Sequence, residues 1–462
     1  MTLEESNNLS SKETIEYSEE VIQKLFSAKL PLDWNKLKRE KKSELVHQWA
    51  REAFPNVPAS LVTLTVGLTV DGDSGTSIDE IPEWLDREKF ARGQKFAQDN
   101  IFGIFFSILL TLFGLYSFED GLNPLIITGK SSEPYTAFKR YLSTGARFRN
   151  WFTGDLWTKG TPAYNDIKTV RRVHAIIRNK LNEMSNEEIN KATTIENPWS
   201  PMRNSLLKDF RSACPVALPG QCPFTTKTQG AVQPQKMHQG EMAMTQGGFV
   251  CLVVLYPQAL GIHGATDKEL HDFCYVWRCI GYLLGIEDEF NFCRGTLEDI
   301  KQRSADYLNS WVKPNFRDMT PEFEHMMRCL VVSSNYFSSN TSNNSFEMSL
   351  LYFTELIGLD MPQLRASLSY SSWIKHHFMK FTMHYAMQLP QIKKFLNFQA
   401  NKSMNDALKF TNEKHAELQQ KSSKILSSVT SETNSENIFT QYKIYESLLI
   451  IVLCFFGYII FF

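Results

Sequence analysis

The chain has 462 residues, of which 43% are hydrophobic and 13% aromatic, the composition of a folded protein. Its 49 Lys and Arg residues nearly balance its 50 Asp and Glu residues, so the formal net charge is -1. Because nucleic-acid binding calls for a concentrated basic surface, this balance argues against a nucleic-acid partner.

The eight cysteines include no C-x-x-C pair and no regular spacing, which indicates free thiols in a reducing compartment. The first twenty residues, MTLEESNNLSSKETIEYSEE, are acidic and contain no apolar stretch, so they do not form a secretory signal. We therefore expect the main body in the cytosol, with a polar, flexible segment over residues 1–30.

Helical patterns dominate the chain after residue 31. The loop DGDSGTSIDE (71–80) precedes a helix start with Pro82 near the first turn and acidic residues ahead of basic ones. Further helices are predicted at residues 165–184, 267–286, 347–358 and 363–387. The run FVCLVVLYP (249–257) fits a strand or a buried helix, and strict alternation is otherwise nearly absent, so the predicted class is all-α.

The segment Ile101–Phe118 has eighteen residues without a charge. At ~1.5 Å rise per residue it could nearly cross a hydrocarbon core of ~30 Å. A helix buried in a large core is the alternative, and it is the interpretation that we favour.

The segment Leu448–Phe462 is a second uncharged run, of fifteen residues, and a polar stretch precedes it. This layout predicts a polar spacer over residues 397–442 and a transmembrane anchor over residues 444–462. An apolar helix docked on the body or on a partner is the alternative. The shortness of the run favours a thin membrane such as the endoplasmic reticulum, with the body facing the cytosol.

Standard active-site signatures are missing, including G-x-S-x-G, H-E-x-x-H, the Walker A loop and G-x-G-x-x-G after a strand. His376 and His377 are adjacent, so on a helix they point ~100° apart and form a poor pair of metal ligands. A solvated or packing role suits them better.

Three other residues could carry chemistry. His174 lies in the middle of a predicted helix, beside an apolar face formed by residues such as Val173 and Ile177, and a neutral imidazole there is what a haem iron needs. Arg140 and Thr144 are four residues apart and share a helix face, where they could orient dioxygen. The alternatives are a hydrogen-bonded core histidine and an ordinary surface arginine with a back-bonded threonine.

Arg140-x-x-x-Thr144 followed thirty residues later by His174 resembles the latex-clearing rubber oxygenases and their membrane-bound relatives, such as the oxygenase of mycophenolic acid biosynthesis. The resemblance covers about residues 80–300. It includes the phrases IPEWLDREKFARGQKFAQDNIFGIFF, GLNPLIITGKSSEPYTAFKRYLSTGARF, IKTVRRVHAIIRNKL, MAMTQGGFVCLVVLYPQALGIHG and FCYVWRCIGYLLGIEDEFNFC.

The resemblance implies a single helical body, over residues 31–396, with a globin-like core that binds haem b. His174 would be the axial ligand of the iron, and Arg140 and Thr144 would line the haem pocket as catalytic residues. The implied reaction is oxygen-dependent cleavage or oxygenation of a hydrophobic, isoprenoid or unsaturated lipid substrate at a membrane. Trp277 and Tyr282 are candidate walls of the substrate tunnel.

The sequence departs from the family at two positions. Ser143 stands where the rubber oxygenases have a lysine, and Pro124 stands where their proposed catalytic glutamate would fall, with Glu119 the nearest carboxylate. These departures favour an alternative, a non-catalytic haem- or lipid-binding membrane protein that retains the fold. A purely structural membrane adaptor is a third hypothesis, and it predicts no haem.

Overall fold

A computed structural model describes residues 16–224, 236–337 and 344–431. These residues form α-helices, short 3-10 segments and one π-helical turn. Within them the only β pairing is an isolated antiparallel bridge between Tyr17 and Val70. The predicted all-α class is therefore confirmed.

The first ten helices are α1 (Glu19–Leu25), α2 (Arg39–Ala53), α3 (Val62–Val66), α4 (Arg87–Asp99), α5 (Ile101–Tyr116), α6 (Glu119–Ile127), α7 (Pro134–Thr153), α8 (Pro162–Glu183), α9 (Asn186–Thr193) and α10 (Arg203–Ala213). The next ten are α11 (Gln239–Leu255), α12 (Asp267–Leu283), α13 (Leu297–Asp306), α14 (Lys313–Asn315), α15 (Pro321–Ser334), α16 (Phe346–Leu356), α17 (Pro362–Ala366), α18 (Tyr370–His384), α19 (Pro390–Ala407) and α20 (Asn412–Ser431). The π-helical turn, Tyr307–Val312, joins α13 to α14.

The apolar helix α5 lies in the main core, with most of its side chains buried. Gly103 allows the close approach of the Leu260 carbonyl, because a Cβ at this glycine would lie 2.3 Å from that oxygen. No single described helix is long and apolar enough to cross a membrane, although α4 and α5 together pass that test across a bend of 85°.

The core around α5 is built by α4, α11, α12 and the helices of the C-terminal half. One cluster of buried side chains runs from Leu61 to Met387. The segment 249–257, which fitted a strand or a buried helix, contributes the end of α11. The predicted helix start at Pro82 lies five residues early, because the Asp86 side chain accepts the backbone N–H of Lys89 at 2.9 Å and caps α4 there.

The N-terminal segment differs from the flexible start predicted for residues 1–30. Residues 1–15 lie outside the described part, but α1 follows directly, capped by Ser18. Ile22 and Phe26 are buried in a second cluster with residues of α2. Apolar burial on one side of this short helix holds it to the body.

The region predicted as a polar spacer, residues 397–442, is helical as far as Ser431. Met404 on α19 and Leu418 on α20 are buried in a third cluster with Phe138 of α7. The polar composition reflects the outer faces of these helices, whereas the few apolar residues dock on α7. The predicted anchor at 444–462 lies outside the described residues.

Candidate functional site

Helix α8 carries His174 on its buried side. The helix begins at Pro162, where the Thr161 side chain accepts the backbone N–H of Tyr164 at 3.2 Å. Arg178 and Leu181 are buried, and they follow His174 by four and seven residues, so the three residues share one face. Val173, expected on the buried face, is instead 38% exposed.

Two arginines on α8 turn inward because the loop of residues 71–80 supplies carboxylates. Arg171 donates from Nε to Asp73 Oδ2 at 3.0 Å and from Nη2 to Asp73 Oδ1. Arg178 pairs with Asp71, with Nε 3.3 Å from Oδ2. Burial raises the pKa of the Asp73 carboxyl, but the hydrogen bonds and charge of Arg171 outweigh this effect and lower it below its ordinary value.

The imidazole of His174 has no hydrogen bond to another described residue. Its Nδ1 is buried and lacks a partner. Desolvation, together with the charges of Arg178 and Arg140, lowers the pKa of His174 to about 4. The ring is therefore neutral at physiological pH, the state in which a histidine ligates a metal.

Helix α7 carries the other two predicted site residues. The Arg140 guanidinium donates from Nη1 to Ser131 Oγ at 3.3 Å, and it forms no ion pair with any residue that the structure describes. Its effect on the His174 pKa places it within electrostatic range of the imidazole. Thr144 is partly exposed one turn further along α7, and no contact of its side chain with His174 or Arg140 is seen.

Two phenols beside Arg140 were not predicted from the sequence. The hydroxyls of Tyr116 on α5 and Tyr141 on α7 are hydrogen-bonded to each other. Burial raises the pKa of both phenols, and the Arg140 charge partly opposes that shift. Both hydroxyls therefore stay protonated at neutral pH. Their tyrosines lie 25 positions apart, so no local motif could have paired them.

The two predicted tunnel residues lie in separate aromatic contacts on α12. Trp277 is buried and stacks on Phe249 at a centroid distance of 4.9 Å, with Phe148 edge-on at 5.3 Å. Tyr282 packs edge-on against Trp84 at 5.7 Å. The Trp277 Nε1 is buried without a hydrogen-bond partner in the described chain. These contacts make Trp277 part of the core between α7, α11 and α12.

A small cavity beside Pro124 contains carboxylates that come from other positions. Asp120 and Glu241 line it with Lys236 and Leu181, and its volume of about 10 Å³ is close to the space of one water molecule. Lys236 Nζ lies 2.9 Å from Asp120 Oδ1. Desolvation and the charge of Asp120 together raise the pKa of Glu241 to about 8, against the opposing charge of Lys236. Leu181 places the cavity on the same face of α8 as His174.

The adjacent pair His376 and His377 does not form a metal site. His376 is buried and its Nε2 lies 3.0 Å from Glu355 Oε2, whereas His377 packs edge-on against Trp373. Among the described residues, no group of three or more His, Cys, Asp or Glu side chains is arranged to hold a metal ion. A larger cavity of about 230 Å³ lies nearby and includes Glu355 in its lining. Neither of these two cavities is lined by His174.

Comparison with known proteins gives one distant likeness. No family model matches the chain, and no curated protein sequence matches it. The solved structure of the latex clearing protein LCP in its closed state is similar over 85% of this chain and 96% of that chain, with 14% sequence identity and a TM-score of 0.43. At this distance the likeness assigns the chain neither to a family nor to an activity.

Proposed function

We propose that this protein is a haem-dependent oxygenase that acts on a hydrophobic, unsaturated or isoprenoid lipid, with His174 as the iron ligand. The observation that carries the proposal is the buried Nδ1 of the half-buried His174, which has no hydrogen-bond partner among the described residues. A buried polar atom without a partner costs about 1–3 kcal/mol, so its retention calls for an explanation. A metal that took this nitrogen as a ligand would supply one.

The donor set at His174 fits a haem. The neutral imidazole suits the iron, and Arg140 is a cation that lacks a carboxylate partner among the described residues. A guanidinium of this kind suits the carboxylates at the edge of the porphyrin. The order of Arg140, Thr144 and His174 also resembles the rubber oxygenases, as described above.

When bound, haem iron would supply the activation of dioxygen. The chain's own residues would position the reactants and exclude water. Arg140 and one of the two phenols, Tyr116 or Tyr141, would offer hydrogen-bond donors, because the other phenol uses its proton in the bond between them. The Thr144 hydroxyl would offer a further donor on the same helix. The buried face of α5, which is mostly apolar, would keep bulk water away from this region.

The substrate class and the location belong to the same proposal. A lipid substrate is consistent with the predicted anchor at residues 444–462, which would hold the body on the cytosolic side of the endoplasmic reticulum membrane. The active site would then lie within reach of its substrate.

A non-catalytic haem- or lipid-binding protein is the second candidate. Ser143 and Pro124 stand where the rubber oxygenases have a lysine and their proposed glutamate, and this favours it. Glu241, however, lines a cavity together with Pro124, so a buried carboxyl reaches the vicinity of that position from α11. The two candidates are separated by oxygen consumption.

The first experiment is an absorption spectrum of the full chain in mild detergent, before and after reduction with dithionite. We expect a Soret band that shifts on reduction. His174→Ala should abolish haem retention with unchanged helical content, because one imidazole contributes little to the core. His47→Ala, on α2, is the matched control and should keep the band. Absence of the band in the wild-type chain after haem supplementation would reject the proposal and favour a structural adaptor.

Oxygen uptake then distinguishes an enzyme from a binder. The haem-loaded chain should consume oxygen when supplied with an unsaturated lipid or a polyisoprenoid, and Arg140→Leu should lower the rate by at least tenfold. A haem protein that consumes no oxygen with either substrate class would favour the non-catalytic candidate.

A further inference from the structure

The exposed aromatic side chains of this protein are concentrated in one region. Among the exposed large apolar residues of the described chain, every aromatic one lies on α18, on α19 or in the turn between them, and the exposed residues elsewhere are aliphatic. We name this set the aromatic face: Tyr370, Trp373, Phe378, Phe381, Tyr385, Phe395 and Phe398. Such a cluster marks an interaction surface, because the surfaces of soluble proteins rarely carry large exposed apolar patches.

The aromatic face follows from the helical periodicity of α18. Trp373, His377 and Phe381 recur at four-residue steps, so they form a stripe along one side of the helix. The buried residues of this helix, His376 and Met383, point away from that stripe. The rings on the stripe contact one another: Trp373 packs against His377 at a centroid distance of 4.2 Å.

Helix α19 carries two further exposed rings. Phe395 and Phe398 are 55% and 62% exposed, three residues apart on its outer side. Its inner side packs on the body, where the Asn397 side chain accepts the backbone N–H of Phe102 at 3.0 Å. The two phenylalanines are therefore held outward by a helix that is fixed to the core.

The stretch of sequence that carries the aromatic face is rich in positive charge. Between Arg365 and Asp406 the sequence contains five lysines, three histidines and no aspartate or glutamate, although the whole chain is almost neutral. Lys394 lies between the apolar residues of α19 on its exposed side. Some of the positive charge is compensated from neighbouring helices, as in the 2.8 Å pair of Lys380 with Glu355.

We propose that the aromatic face binds the surface of an anionic lipid bilayer. Trp, Tyr and Phe favour the interface between headgroups and acyl chains, and lysines around them are attracted to anionic lipids. The exposed rings, together with Lys394, which is exposed and forms no ion pair with a described residue, are complementary to such a surface. The face would orient the body on the membrane.

Trp373 provides a built-in probe, because the eight other tryptophans are buried or half-buried. The full chain is mixed with vesicles of phosphatidylcholine, with or without phosphatidylserine, that carry bromine at the 6,7 position of the acyl chain. We expect the bromine to quench tryptophan fluorescence, more strongly with phosphatidylserine, and Trp373→Phe to remove most of the quenching. Added salt should reduce the effect, since it screens the lysines.

Two double variants test whether binding depends on the aromatic face in particular or on any exposed apolar side chain. Phe395→Gln with Phe398→Gln should reduce the Trp373 quenching by more than half. The matched control, Val216→Gln with Leu218→Gln, removes two exposed aliphatic residues from a loop elsewhere and should leave it unchanged. Lys394→Glu should weaken the dependence on phosphatidylserine. None of these measurements requires haem, so their outcome is independent of the proposed oxygenase activity.

Two results would overturn the proposal. If the protein bound vesicles while Trp373 stayed unquenched, the membrane contact would be made by another part of the chain, such as the predicted anchor at residues 444–462. A second copy of the chain on this face would also protect Trp373, and light scattering in detergent would then show a dimer that the Phe395→Gln, Phe398→Gln variant dissociates.

Discussion

The orientation of His174 is decided by individual ion pairs. On α8 the arginines at 171 and 178 would be expected on the solvent side. They instead form ion pairs with Asp73 and Asp71, on the side of the helix that faces the body. With the helix held this way, His174 is on the side of the body, and Val173 is exposed. A charge can be buried when a carboxylate neutralises it with good geometry.

The Asp73–Arg171 pair therefore provides a prediction at this scale. Asp73→Asn should lower the free energy of unfolding by about 3 kcal/mol, because it leaves the guanidinium of Arg171, which is 12% exposed, without its counter-charge. Urea unfolding monitored by circular dichroism measures the change. The control is Asp406→Asn, which removes an exposed i,i+4 pair with Lys402 and should change little.

Asp73→Asn should also weaken haem binding, since the ion pair with Arg171 would no longer hold α8 in its orientation. Unchanged stability and unchanged haem affinity in Asp73→Asn would mean that the loop carboxylate does not position the helix.

At the scale of helices, α4 and α12 cross at very short distance because of one glycine. A Cβ at Gly93 would lie 2.0 Å from the carbonyl oxygen of Asp272, and a backbone atom cannot move aside as a flexible side chain can. The crossing is reinforced by Arg92, whose Nε donates to Asp272 Oδ2 at 2.7 Å. This pair of helices forms one wall of the core that holds α5 and α7.

We expect Gly93→Ala to cost about 3 kcal/mol of stability, the range of overpacking a rigid contact, although alanine is the better helix former. Gly145→Ala on α7 is the control, because its added methyl meets only the terminal carbon of Met404 at 3.0 Å. That variant should be neutral or slightly stabilising. Thermal unfolding of both variants tests the comparison, and equal melting temperatures would contradict it.

At the scale of the whole molecule, buried titratable groups shape the dependence of stability on pH. Desolvation lowers the pKa of His238 to about 3 and that of His174 to about 4, so both contribute stability that is present above pH ~6.5 and lost as pH falls toward those values. Glu241 has the opposite sign. Its pKa is raised to about 8, so its contribution is present below pH ~4.3 and is lost as the pH rises to 8.

Glu241→Gln should therefore raise stability by up to about 5 kcal/mol at pH 8 but by only about 1 kcal/mol at pH 5, because the pKa shift spans almost four units and one unit corresponds to ~1.4 kcal/mol. The pH of maximum melting temperature should move upward. A variant with the same pH profile as the wild-type chain would show that Glu241 is already ionised in the folded state.

The sequence by itself determined the helical class and most of the helices. Their apolar residues recur with the period of a helix, and α5 is apolar enough to predict its burial. It missed the first helix, α1, and the docking of α20, because short or polar helices acquire stability from tertiary contacts that no local pattern encodes. Capping also moved a boundary, since the side chain of Asp86 fixed the start of α4.

For the candidate site, the sequence supplied His174, Arg140 and Thr144 through their spacing and their resemblance to a family. Only the tertiary structure decided that His174 faces inward, that Arg140 lies near it, and that Tyr116 and Tyr141 flank that arginine. The roles of these residues remain those of the proposal. Carboxylates and phenols that come from distant parts of the sequence cannot be found from residue spacing, because burial and counter-charges are properties of the folded chain.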